Sequence, residues 1–112
     1  MDVSCNSLNE VRENIDNIDR EIVALLAARG NFVTQAASFK KTTSEVKAPN
    51  RVEQVISKVI SLAQEQGANS AVVESVYRAM ISAFIEAELK EHSRLNENRG
   101  NPNKWYMDSS HK

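Results

Sequence analysis

Three side chains stand out by type and place: Arg29, Lys40 and Glu88. Apolar residues recur every three or four positions through Leu8, Val11, Ile15, Ile18, Ile22 and Leu25, and again at Phe32, Ala36 and Phe39. The slot between Leu25 and Phe32 holds Arg29. A later stripe of Val73, Tyr77, Met80, Ile81 and Phe84 reaches Glu88 at its next slot. A charge in a core-facing stripe costs several kcal/mol unless it is paired. Either Arg29 and Glu88 form a buried salt bridge, or both face a polar cavity in a helical bundle. Lys40 follows Arg29 by eleven residues, about 20° off the same face of a continuous helix. The two Cα atoms would then be about 16 Å apart along the axis, close enough for both side chains to lean onto one small anion. Arg12 lies seventeen residues before Arg29, about 25 Å along that helix and about 100° around it. It cannot reach the same ligand from the same chain, but in a dimer it could complete the partner's site. As an ordinary surface residue it would pair with Asp16 at i+4.

The elements that must position these groups are helices. Ser7 with Glu10 reads as a capping box. The 3–4 stepping that follows predicts a helix to about Lys41, roughly 50 Å long at 1.5 Å per residue. Gly30 is its weak point. That length exceeds the diameter of a globule of this size, about 30 Å, which implies a partner chain over its far end. TTSEVKAPN at 42–50 is a polar break, either a mobile connector or a closing loop. Pro49 and Asn50 suit the start of a second helix. Its face is Val52, Val55, Ile56, Val59, Ile60 and Ala63, and Gly67 suits its C-terminal cap. A third helix begins near Asn69 or Ser70. Beyond Leu95 the sequence NENRGNPNKWYMDSSHK has no periodicity and is expected to be a disordered tail, with Trp105 and Tyr106 as its docking candidates. The expected organisation is an N-terminal extension at 1–7, a helical domain at 8–95 and the tail at 96–112. The fold class is all-α, a three-helix protomer with a long first helix, intertwined as a six-helix homodimer.

Bulk properties narrow the function. The chain has 112 residues, 41% hydrophobic, with a net charge of −1 and both signs mixed. That suits one domain and argues against a nucleic-acid or membrane partner. No apolar run approaches the ~18 residues a membrane span needs, and MDVSCNSLNE lacks a secretory layout. The single cysteine, Cys5, makes no internal disulfide, as expected in the cytoplasm. His92 and His111 have no ligand partners at metal spacing. No metal site and no cofactor are expected.

LNEVRENIDNIDREIVALLAARGNFV, AASFKK, APNRVEQV and VYRAMISAFIEAEL, spanning residues 8–95, resemble the all-α chorismate mutases and their isochorismate–pyruvate lyase relatives. The resemblance implies two sites per dimer. Arg29, with Arg12 from the partner chain, would hold the two substrate carboxylates by bidentate contacts. Lys40 would bond the enolpyruvyl ether oxygen and a carboxylate. Glu88 falls where many relatives have a glutamine that also bonds the ether oxygen, and Arg51 would help close the site. The reaction, chorismate to prephenate, is pericyclic and needs no nucleophile, base or metal. It needs the flexible arm held over the ring and charge stabilised at the breaking C–O bond.

Two positions depart from the mutase pattern. Val52 stands where mutases often have a glutamate for the ring hydroxyl, and Phe84 where some have a serine. Both lean toward the lyase, which makes salicylate and pyruvate from isochorismate by another pericyclic route; Glu88 leans away from it. The expected function is chorismate mutase, with the lyase or a mutase of an amino-substituted chorismate as alternatives. A non-catalytic helical dimerisation module would leave Arg29, Lys40 and Glu88 unexplained.

Overall fold

A computed structural model describes residues 4–100, and side chains as far as residue 94. Helix α1 spans Leu8–Ala37, α2 Thr43–Lys47, α3 Pro49–Gln66 and α4 Ser70–Gly100. No strand occurs among the described residues, so the fold is all-α. None of their helices is long and apolar enough to cross a membrane.

The chain divides into two compact bodies, Met1–Phe32 and Val33–Lys112. The first is most of α1. Ser7 Oγ accepts the Glu10 amide at 3.1 Å, and Glu10 Oε2 reaches back to the Asn6 amide at 2.5 Å, one residue before the expected partner. No residue from 4 to 32 is buried. Ile22, Leu25 and Phe32 are 48%, 69% and 69% exposed, so the stripe read from the sequence faces solvent in the single chain.

The second body holds the core: Ala37, Val46, Ile56, Val59, Ala63 and Ile81. Helix α3 starts with Pro49, whose missing N–H costs nothing there. It stops at Gly67, where φ of +71° favours glycine. The Ala68 amide closes this end on Ala63 O at 2.8 Å. Asn69 Oδ1 caps α4 by accepting the amides of Ala71 at 3.0 Å and Val72 at 3.3 Å. The apolar face of α3 packs on α4. Arg78 adds a rim contact, donating to both Glu53 oxygens at 3.0 and 3.1 Å and to Glu74 at 2.9 Å. These exposed pairs each contribute little.

Three expected boundaries move. Helix α1 ends at Ala37, short of Lys41. Ser38 turns its hydroxyl back on Gln35 O at 2.8 Å, and the amides of Ser38, Phe39 and Lys40 bond three residues back, tightening and ending the helix. The polar break contains α2, opened by a full Thr42–Glu45 capping box. Its C-cap, Ala48, sits in the left-handed region at φ 36° and leads directly into Pro49. Helix α4 runs on to Gly100, past the expected limit at Leu95. Trp105 and Tyr106 lie outside the described residues.

Candidate active site

Lys40 lies in the turn after α1, not on the helix. This corrects the helical-face argument that aligned it with Arg29, because the helical register is lost at Ser38. The turn is held from several sides. The Lys40 amide donates to Ala37 O at 3.3 Å. The next two amides, of Lys41 and Thr42, both donate to Glu45 Oε2, the second at 2.9 Å. Those two hydrogen bonds, the Lys41 amide's first, hold the Glu45 carboxyl below its ordinary pKa of 4.5.

Helix α4 supplies the other wall. Glu88 and His92 are four residues apart, one above the other on one helical face, and both are buried, at 5% and 4% exposure. Glu88 Oε2 lies 2.6 Å from Lys40 Nζ. The contact is a close charge pair without hydrogen-bond alignment, so Oε2 is a buried oxygen lacking a hydrogen bond. Burying two charges costs several kcal/mol, and apolar replacements are often neutral or stabilising. Stability alone therefore gives no reason for this pair. His92 Nε2 lies 2.8 Å from Lys40 O. Together, Glu88 holds the side chain of Lys40 while His92 holds its backbone.

The remaining expected residues are distributed over both bodies. Arg51 is exposed in the first turn of α3, with Val52 half-buried beside it. Phe84 is half-buried one turn before Glu88. Arg12, exposed, and Arg29, half-buried, belong to the first body. The structure therefore brings Lys40 and Glu88 together within the second body. It adds His92 and Glu45, which the sequence reading passed over. Glu45 was findable as the second half of a Thr-x-x-Glu capping box. His92 was findable as Glu88 plus four, one more step of the α4 stripe. Among the described residues no cluster of three His, Cys, Asp or Glu could hold a metal ion.

Comparison with known proteins places the chain in a family. The profile of chorismate mutase type II matches residues 11–89, a span that includes Arg12, Arg29, Lys40, Arg51 and Glu88 and stops before His92. The chain is 33% identical over 86 residues to the isochorismate pyruvate lyase of Pseudomonas aeruginosa, covering 77% of this chain and 85% of that protein. It is 29% identical to a bifunctional chorismate mutase/prephenate dehydratase of Buchnera aphidicola and 31% identical to one of Aquifex aeolicus. Those matches cover 76% and 74% of this chain but only 22% and 24% of the longer proteins. The chain belongs to the chorismate mutase type II family.

Proposed function

We propose that the protein is a cytoplasmic, homodimeric chorismate mutase that rearranges chorismate to prephenate. The observation that carries this reading is the Lys40–Glu88 pair, 2.6 Å apart, with a buried carboxylate oxygen that has no hydrogen bond. Such a pair is poised to exchange its mutual contact for contacts with a substrate oxygen. Arg29, with Arg12 of a second copy, holds the substrate's two carboxylates and fixes the enolpyruvyl arm over the ring. Arg51 helps close the site. Lys40 donates to the ether oxygen as the C–O bond breaks, and one substrate carboxylate replaces Glu88 as its counter-charge. Glu88 donates to the same oxygen only when protonated, because a carboxylate has no hydrogen to give. Glu88→Gln, which always has an N–H to give, is therefore expected to be at least as active as the wild type, and Glu88→Met to lose most of the activity. Equal activity in the Gln and Met variants would remove Glu88 as donor.

A second reading, isochorismate–pyruvate lyase, is favoured by a specific pair of facts. The relative matched over most of its own length carries that name, and half-buried Val52 offers nothing to a ring hydroxyl. Phe84 likewise offers no hydroxyl to a carboxylate. Incubating the protein with each substrate separately decides the matter. Prephenate from chorismate supports the mutase; salicylate and pyruvate from isochorismate, without prephenate, support the lyase. Neither product, with no thermal shift in a saturating dicarboxylate transition-state analogue, would support a non-catalytic module.

A further inference from the structure

The geometry points to His92 as a positioning residue that sets where the Lys40 ammonium sits by holding the Lys40 carbonyl. The inference rests on the proposed role of Lys40 in the substrate site. A carbonyl oxygen only accepts, so the His92 nitrogen 2.8 Å from Lys40 O must carry the hydrogen. The ring is therefore the Nε2–H tautomer when neutral. His92 is 4% exposed and sits one helical turn beyond Glu88. Helix α4 thus grips one lysine at both ends. The backbone grip matters because Lys40 lies past the end of α1, where no helical hydrogen-bond ladder holds it. Without it, the four-carbon stem would start from a turn anchored by Ala37 O behind and Glu45 ahead, with its carbonyl unheld.

The test compares His92→Gln, which keeps an N–H near the Nε2 position, with His92→Met, which keeps the bulk and loses the donor. Lys40→Ala is the control, and each variant is the full chain assayed on whichever substrate the wild type turns over. His92→Met is expected to lower kcat by about 10- to 100-fold, the scale of a small misplacement, with KM moving less than about threefold. His92→Gln is expected to recover most of that loss. Imidazole 15N spectra of the wild type should report the proton on Nε2. Equal losses in the Gln and Met variants would make His92 a space-filler and overturn the inference, as would a wild-type ring protonated on Nδ1 alone. Should His92→Met fail to fold, the Gln variant and the wild-type tautomer still decide. If Lys40→Ala is inactive while His92→Met is normal, the positioning role alone falls. A fully active Lys40→Ala overturns the substrate-site reading and this inference with it.

Discussion

The two bodies handle the same kind of sequence differently. Residues 8–32 and residues 49–92 both carry apolar side chains at helical spacing. In the second body those of α3 and α4 meet each other and form a core, with Ile56, Val59 and Ala63 facing the helix that carries Ile81. In the first, none of the described residues is buried, and Leu25 and Phe32 are each 69% exposed. A periodic stripe thus tells that a face is built to be covered. It does not tell what covers it. For the first body the proposed cover is a second copy of α1, which the helix's 30-residue length makes geometrically natural.

The sharpest way to break that contrast is a charge in the exposed stripe. Leu25→Glu should abolish dimerisation, read by sedimentation or light scattering, and remove activity with it, since each proposed site takes Arg12 from the other chain. A fully dimeric, active Leu25→Glu protein would place the seam elsewhere. Arg29→Ala tests the same stripe for chemistry instead of assembly. Turnover should fall about 1000-fold or more, a loss of roughly 4 kcal/mol in transition-state binding, while the thermal midpoint moves only a few degrees. A structural arginine would reverse that order, costing stability first. In the second body the expected loss is of stability. Ile81→Ala, at 6% exposure, should cost about 2–5 kcal/mol in denaturant unfolding. Leu25→Ala should cost far less in an assay of the isolated protomer, because its side chain is already wet.

The same contrast explains what was legible beforehand. The three long helices followed from spacing and caps, since Ser7, Pro49, Gly67 and Asn69 each satisfy a local backbone need that residue type alone announces. Arg29 and Glu88 were visible as polar interruptions of apolar stripes. The neighbourhood of Lys40 was harder to read. Periodicity carried α1 through residues 38–41, because Phe39 continues the apolar step, yet the Ser38 hydroxyl competes for the helix carbonyl and Phe39 ends 83% exposed. The short α2 was masked by its polar composition, although its capping box was written in Thr42 and Glu45. The grip of His92 on Lys40 O spans 52 residues and involves a backbone atom, which no side-chain pattern announces.

The smallest expected effect concerns acid stability, and it too belongs to the second body. Glu45, Glu53 and Glu91 all have carboxyls held below the ordinary 4.5. The causes differ. Glu53 and Glu91 are lowered chiefly by hydrogen bonds from Arg78 and Arg94, whereas Glu45 is lowered by the amides of Lys41 and Thr42. A carboxyl lowered in the folded state stabilises the fold fully above its unfolded value. That stabilisation is lost as pH falls through the folded value. The thermal midpoint should therefore drop as pH is taken from neutral to below about 4.5. Glu45 and Glu53 are exposed and Glu91 is only half-buried, so the drop is modest. Salt separates the contributions. The arginine pairs should weaken in about 1 M NaCl, where the Debye length is about 3 Å, while the bonds from neutral amides to Glu45 persist. Glu45→Gln should then flatten most of the acid dependence that survives high salt. It should also loosen the turn carrying Lys40, which amide exchange at Lys41 and Thr42 would report directly. An unchanged acid limb in high salt, with both amides still protected, would mean that Glu45 does not hold this turn.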